Sequence, residues 1–117
     1  MRRDWELVRL ILARIEAEGD LASRWFAQRF PEWPQEAVNY HLWLLIQAGL
    51  ITGQCNADAP GSGFICYGVA LTWTGHEFLA AVRSDTAWAR IKARLAERAV
   101  DLSLDAVLAA ARATLGG

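Results

Sequence analysis

Residues 34–52 constrain the fold more strongly than any other part of the chain. The stretch begins with Pro34, continues through an amphipathic run and reaches Gly49. Proline suits the first turn of a helix because its missing N–H would have no partner there, and glycine suits the left-handed residue just past a helix end. The residues after Gly49 are typical of a strand. The sequence therefore predicts a helix that ends near Gly49 and leads directly into a strand.

The two faces of this helix differ in chemistry when residues are placed at about 100° intervals. The inward arc is mostly apolar and consists of Val38, His41, Leu42 and Leu45, with Ile46 and Ala48 at its edges. The outward arc carries acidic, amide and aromatic side chains, namely Glu36, Asn39, Tyr40, Trp43 and Gln47. It contains no lysine or arginine. We take these five outward residues as the candidate partner-binding surface.

A helical pattern precedes this stretch. Residues 2–18 form a predicted first helix, with Asp4 near its start and a left-handed Gly19 past its end. Residues 19–33 carry aromatic side chains that suit either a short helix or a strand. We expect a helix or an irregular turn there, followed by extended chain.

The pattern after Gly49 is that of a β-hairpin. Residues 50–55 and 64–73 are predicted to be its strands, joined by a loop rich in turn-forming residues. Thr74 and Glu77 then fit a capping box at the start of a helix over about 75–83.

Two further helices complete the predicted chain. Ser84 and Asp85 are expected to cap a helix over about 86–98, whose apolar stripe is Trp88, Ile91 and Leu95. Asp101 or Ser103 is expected to cap the last helix.

The elements together predict a mainly α protein with one β-hairpin. We expect a winged-helix-like domain over residues 1–84, with the hairpin as its wing. A C-terminal two-helix extension over residues 85–117 is expected to pack on the same domain. Small residues in the last helix permit close helix approach, so a homodimer through residues 86–115 is a further hypothesis.

The charge distribution limits the choice of partner. The net charge is −1, so no overall field draws the chain to nucleic acid or to an anionic membrane. All 12 basic residues lie within 2–29 or 83–112, which leaves the central helix and hairpin without any.

If the central helix binds DNA, Asn39 and Gln47 could read adenine edges. Contacts to DNA phosphates would then have to come from Arg2, Arg3, Arg9, Arg90, Lys92, Arg94 and Arg98. The alternative for the basic run at 90–98 is a solvated helix face.

Two cysteines are too few for a disulfide framework. We expect Cys55 and Cys66 to be reduced thiols, with a cross-strand disulfide as the alternative because they lie symmetrically about the predicted turn. Together with His41 and His76 they lack the short spacing that preorganises zinc, so no metal site is predicted.

No catalytic motif is visible, so neither enzymatic activity nor a cofactor is expected. No apolar run approaches the ~18 to 20 residues that span a bilayer, and the N-terminus lacks the apolar core of a signal peptide. A cytoplasmic location without membrane contact is expected.

Three segments together resemble a family of short bacterial and phage proteins known only as a domain of unknown function. They are MRRDWELVRLILARIE, YHLWLLIQAGLI and LTWTGHEFLAAVRSDTAW. The resemblance implies a winged-helix-like fold with a helical extension, an association with mobile elements and prophage genes, and no established activity. The family usually has a basic residue at the position where this chain has Trp43.

These observations predict a non-enzymatic interaction module, encoded by a phage or another mobile element, that binds a host protein complex. The most specific version of this hypothesis is that the protein is a counter-defence inhibitor. Aromatic residues are enriched in the cores of protein interfaces, so Tyr40 and Trp43 are the expected centre of contact. The alternative is that the N-terminal or C-terminal helices cover these rings. The second functional hypothesis is a dimeric DNA-binding transcriptional regulator that uses the terminal arginines.

Overall fold

The computed structural model describes residues 1–115, and side chains up to residue 113. The elements are α1 (Trp5–Glu18), β1 (Trp25–Phe26), a 3₁₀ turn (Ala27–Arg29), α2 (Gln35–Gln47), β2 (Ile51–Cys55), β3 (Cys66–Leu71), α3 (Trp73–Val82), α4 (Asp85–Glu97) and α5 (Leu104–Leu115). The chain is mainly α with a β-hairpin, which confirms the predicted fold class. It forms two compact units, residues 1–76 and the residues from 77 onward. This division falls inside α3, earlier than the domain boundary predicted after residue 84.

The core of the first unit lies where α1 and α2 pack against the sheet and against each other. The inward arc predicted for α2 is buried, including Val38, Leu42 and Leu45. The apolar face of α1 is also buried, at Leu7, Val8, Ile11, Leu12 and Ile15. The amphipathic pattern of α2 therefore identified its core face correctly at these positions.

Helix α1 begins at Trp5 instead of Arg2 because Asp4 is its N-cap. The Asp4 carboxylate accepts hydrogen bonds from the backbone N–H groups of Glu6 and Leu7, at 2.9 and 3.4 Å. The left-handed conformation predicted for Gly19 is wrong, since its φ is −79° and its ψ is 155°. Glycine is needed there for close packing instead, because a Cβ would lie 2.4 Å from the carbonyl oxygen of Ile15.

Helix α2 ends as the sequence predicted. Pro34 is the N-cap residue, one position before the first helical residue. Gly49 follows the helix with a φ of 74°, in the left-handed region where glycine avoids the cost of a Cβ. The chain can therefore reverse direction and enter β2 at Ile51.

The segment 19–33 begins with a turn at residues 21–22 and continues as extended chain, as expected. The extended strand β1 pairs antiparallel with β3, with Trp25 opposite Gly68. The 3₁₀ turn that follows β1 was not predicted. The Trp25 and Phe30 rings are both buried, with centroids 5.8 Å apart, so each aromatic side chain fills the core from a different local conformation.

The hairpin forms two strands of a three-stranded antiparallel sheet with the order β1-β3-β2. Strand β3 ends at Leu71 because Thr72 starts the next helix. The Thr72 hydroxyl accepts from the N–H of Gly75 at 3.0 Å and donates to the Gly49 carbonyl at 2.5 Å. The capping box predicted for Thr74 and Glu77 is therefore wrong, and α3 begins two residues earlier than expected.

Cys55 and Cys66 form a disulfide. They occupy directly opposite positions in the β2–β3 register, which brings their side chains together. The expectation of two reduced thiols is therefore wrong for this structure, and the cross-strand alternative is the one observed.

In the second unit, the predicted helices and caps are confirmed. The Ser84 hydroxyl accepts from the N–H of Ala87 at 2.9 Å, and the Ser103 hydroxyl accepts from Ala106 at 3.1 Å. The α4 stripe of Trp88, Ile91 and Leu95 is buried. Helix α4 packs against α5.

Candidate functional site

The outward face of α2 is only partly open to solvent. Glu36 and Gln47 are exposed, whereas Tyr40 and Trp43 are half-buried. The two rings stack, with centroids 5.9 Å apart and planes inclined by 30°. We call Tyr40 and Trp43 the ring pair. It is an aromatic surface on the helix that also carries the exposed Glu36 and Gln47.

Asn39 does not belong to this surface. Its side chain is 9% exposed, and its Oδ1 accepts a hydrogen bond from the backbone N–H of Cys66 at 2.9 Å. The outward placement predicted for Asn39 is therefore wrong. At about 100° per residue, Asn39 lies roughly 20° from Ile46, at the edge of the buried arc, so its position already favoured contact with the hairpin. The amide joins α2 to the first residue of β3.

The hairpin loop, residues 56–64, lies along the outward face of α2. The Trp43 indole N–H donates to the Asp58 carbonyl at 3.2 Å. Pro60, Gly61 and Phe64 line a cleft of about 230 Å³ together with Glu36 and Tyr40. Within the first unit, the ring pair is thus partly covered by the hairpin loop. This cover could not be predicted from the sequence because a loop's path depends on contacts with distant residues.

Asn56 fixes the ends of the hairpin loop. Its side chain donates to the Gly63 carbonyl at 2.8 Å and accepts from the N–H of Ile65 at 2.9 Å. Its backbone N–H also donates to the Ile65 carbonyl at 3.0 Å. The loop therefore leaves and rejoins the hairpin at defined positions, while residues 56–63 themselves are exposed.

His41 lies beneath this face and links α2 to the N-terminal segment. Its Nε2 accepts from the backbone N–H of Asp4 at 2.7 Å, and its Nδ1 is 2.8 Å from the Ala37 carbonyl. The two contacts require a neutral ring with the proton on Nδ1. Burial lowers the pKa of His41 in agreement with this assignment. The link also holds Arg3, which is adjacent to Asp4, close to α2.

The predicted phosphate-binding residues are divided between the two units. Arg2 and Arg3 are exposed in the first unit, where Arg3 lies 4.5 Å from the centroid of the Trp5 ring. Arg9 forms an ion pair with Glu6 at 2.9 Å. The remaining four, Arg90, Lys92, Arg94 and Arg98, belong to the second unit. In the first unit, Arg2 and Arg3 are therefore both exposed, and Arg3 lies near α2.

Three arginines that we did not select from the sequence lie over aromatic rings in the first unit. The distances from guanidinium carbon to ring centroid are 5.3 Å for Arg14 over Phe30, 4.8 Å for Arg24 over Tyr67 and 4.4 Å for Arg29 over Trp25. Such contacts stabilise by about 0.5–1 kcal/mol at exposed sites. Among these three, Arg29 is close in sequence to the ring that it contacts, whereas the other two rings are distant in sequence and could not be predicted.

Arg14 also forms an ion pair with Glu32. The hydrogen bond from Arg14 holds the pKa of the Glu32 carboxyl at about 2, well below its usual range. The same contact raises the pKa of Arg14. Arg14 therefore fastens the segment after the 3₁₀ turn to α1, and its positive charge is largely compensated.

The residues between 1 and 115 contain no group of three His, Cys, Asp or Glu side chains that could hold a metal ion. None of the helices in this range combines the length and apolar composition that crossing a membrane requires.

The fold and the site define a small, mainly helical protein with a disulfide-closed hairpin loop lying on an aromatic helix face. The chain belongs to the family described as "Hypothetical protein (DUF2513)", whose family model matches residues 2–101. It is 36% identical over 107 residues to an uncharacterized protein of Haemophilus influenzae, a match that covers 92% of this chain and 89% of the relative. No solved structure matches the chain. The family assignment confirms the resemblance to short proteins of unknown function.

Proposed function

We propose that this protein is a non-enzymatic interaction module that binds another protein through the outward face of α2 and the hairpin loop. The observation that carries the proposal is the ring pair, which the hairpin loop contacts through Trp43. Both the ring pair and the loop lie within residues 30–82, which contain no lysine or arginine. Pre-positioned aromatic side chains lose little conformational entropy on binding and are enriched among the residues that dominate interface energetics.

The element order supports a winged-helix-like scaffold for this module. A helix, a short strand, a second helix and a hairpin follow one another, with the hairpin in the position of a wing. The most specific version of the proposal is that the protein is a counter-defence inhibitor encoded by a phage or another mobile element. Such an inhibitor would act by binding a host protein complex.

Charge favours a protein partner over duplex DNA at this face. Glu36 is exposed on α2, and Asp58 lies on the hairpin loop beside Trp43. Both carboxylates repel phosphates, whose neutralisation by lysine and arginine supplies most of the affinity of DNA-binding proteins. Asn39, one of the two side chains suited to reading adenine, is bonded to Cys66 inside the unit.

A DNA-binding regulator is the second candidate, and one contact favours it. The hydrogen bond between Asp4 and His41 places Arg3 near α2, where a terminal arm could reach phosphates. A regulator of this kind would be a dimer, in our hypothesis through residues 86–115, and its affinity for duplex would fall steeply with salt. An electrophoretic shift on nonspecific duplex at low and moderate salt tests this candidate, and sedimentation tests the dimer.

The Trp43→Ala variant tests the protein-binding proposal. The wild-type chain is immobilised and exposed to host extract, and each captured protein is then purified and titrated against wild type and variant. We expect affinity to fall at least tenfold, because truncating a central aromatic residue costs about 2 kcal/mol or more.

Lys92→Ala serves as the matched control, since this exposed residue lies in the other unit and should leave affinity unchanged. Circular dichroism confirms that both variants are folded. Equal affinity of wild type and Trp43→Ala for every captured protein would refute the proposal.

A further inference from the structure

A disulfide closes the base of the hairpin loop. Cys55 is the last residue of β2 and Cys66 the first of β3, so the bond joins the two strands where the loop leaves them. Cys66 is fully buried, and its backbone N–H is held by Asn39. Cys55 is half-exposed. Of the two cysteines, Cys55 is therefore the one that is more open to an external thiol.

The loop that this bond closes contacts Trp43 and faces Tyr40 across the cleft, so it partly covers the ring pair. It contains Gly61 and Gly63, and no atom lies within 4 Å of the place where a Cβ on either would project. Residues 56–63 are exposed. Exposed, glycine-rich segments open locally at low cost in free energy. The position of this loop on α2 thus depends on the restraints at its base, which are the disulfide and the hydrogen bonds of Asn56.

We propose that Cys55–Cys66 is a thiol–disulfide exchange site whose oxidation state controls the exposure of the ring pair. In the oxidised state the loop is held over Tyr40 and Trp43. In the reduced state the loop gains conformational freedom and the rings become accessible. The link from exposure to partner affinity rests on the proposed function, whereas the movement of the loop does not.

We take the reductant to be a dithiol, and the exchange then proceeds in two steps. A thiolate of the dithiol attacks the accessible Sγ of Cys55, which forms a mixed disulfide and breaks the bond to Cys66. The Cys66 thiolate leaves with the electron pair and takes up a proton. The second thiol of the dithiol, as thiolate, then attacks the mixed disulfide and releases Cys55 as a thiolate that is protonated. The dithiol is oxidised to a disulfide, and the protein has gained two electrons and two protons.

Reduction leaves Cys66 in an environment that suits a thiol. A reduced cysteine behaves as a small hydrophobic residue, and Cys66 is surrounded by core. Its backbone remains bonded to Asn39, so the start of β3 stays in place while the loop is released. In reducing compartments, disulfides are usually transient and redox-sensing. The cytoplasmic location expected from the sequence would therefore suit a regulatory bond at this position.

The Trp43 indole N–H reports directly on the loop because it donates to the Asp58 carbonyl. We would label tryptophan with ¹⁵N, assign the Trp43 signal with Trp43→Phe, and measure hydrogen exchange before and after adding dithiothreitol. The proposal expects exchange at Trp43 to become at least tenfold faster on reduction. The Trp25 indole, which is buried in the same unit, should change little.

The double variant C55S/C66S provides the matched control. It should show the fast exchange of the reduced chain at Trp43 and no response to dithiothreitol. Slow exchange at Trp43 in both the reduced chain and the double variant would overturn the proposal. Loss of protection at Trp25 together with Trp43 would also overturn it, because the bond would then hold the whole unit and not the loop.

The site of attack can be tested separately with glutathione. Peptide mapping should find the mixed disulfide on Cys55, and a mixed disulfide found mainly on Cys66 would contradict the assignment. Neither measurement needs a protein partner. If Trp43→Ala does not weaken partner binding, the proposed function is contradicted but the exchange site is not. If reduction does not change hydrogen exchange at Trp43, the exchange site is contradicted but the partner surface is not.

Discussion

The substitution Asn39→Ala tests whether this amide is structural, as its burial indicates, or part of a partner surface. Asn39 accepts from the backbone N–H of Cys66 at 2.9 Å in a buried position. Removing the acceptor leaves that N–H without its partner, and an unsatisfied buried donor costs about 1–3 kcal/mol. Alanine is a better helix former than asparagine by at most roughly 0.7 kcal/mol, which offsets part of the loss. We expect a net destabilisation of about 1–2 kcal/mol.

Urea unfolding followed by far-UV circular dichroism measures this loss. With a slope of about 1–3 kcal/mol per molar urea, the midpoint should fall by roughly 0.3–2 M. Gln47→Ala is the matched control, because Gln47 is an exposed amide on the same helix, and its effect should stay within about 0.5 kcal/mol. Hydrogen exchange at the Cys66 amide gives a local readout, which should lose protection only in Asn39→Ala. Equal stability of the two variants would refute the structural role.

Two further predictions concern the packing around α2. Burial holds the pKa of His41 below its ordinary value of 6.5, so the unfolded chain binds the proton first as the pH falls. The free energy of unfolding should therefore be greatest above about pH 6.5 and decrease from there toward the lower folded pKa. In urea unfolding at a series of pH values, His41→Asn should reduce this dependence on pH. In Gly75→Ala, a Cβ would lie 2.0 Å from the Leu50 carbonyl oxygen, so we expect a loss of about 1–3 kcal/mol in chemical denaturation. Gly61→Ala, whose Cβ meets no atom within 4 Å, should be nearly neutral, and equal effects of the two alanines would contradict the packing argument.

Features that depend on local periodicity could be predicted from the sequence. The buried arc of α2 and the buried stripe of α4 both follow from residues three and four apart. The caps at Ser84 and Ser103 are equally local, since each hydroxyl reaches an N–H three residues ahead. A helix carries this information within its own sequence, so these predictions needed no knowledge of the tertiary structure.

Features that depend on distant residues could not be predicted in the same way. Asn39 and Cys66 are 27 residues apart, and their hydrogen bond exists because the hairpin folds back onto α2. The choice of Thr72 over Thr74 as the helix cap depends on where β3 ends and on the nearby Gly49 carbonyl. Predicting the disulfide required knowledge of the strand register. The symmetric positions of the two cysteines about the turn were consistent with a cross-strand bond but did not establish that register.

The position of the hairpin loop determines what a partner meets. In the oxidised chain, Trp43 and Asp58 are joined by a hydrogen bond, so a partner would contact the helix and the loop as one surface. In the reduced chain of our proposal, a partner would contact bare rings and would bury more apolar area. Burial of apolar surface makes the heat-capacity change of binding more negative. Calorimetry on the two redox states with the same partner should therefore give a more negative heat-capacity change for the reduced chain, because the loop no longer occupies part of the aromatic surface.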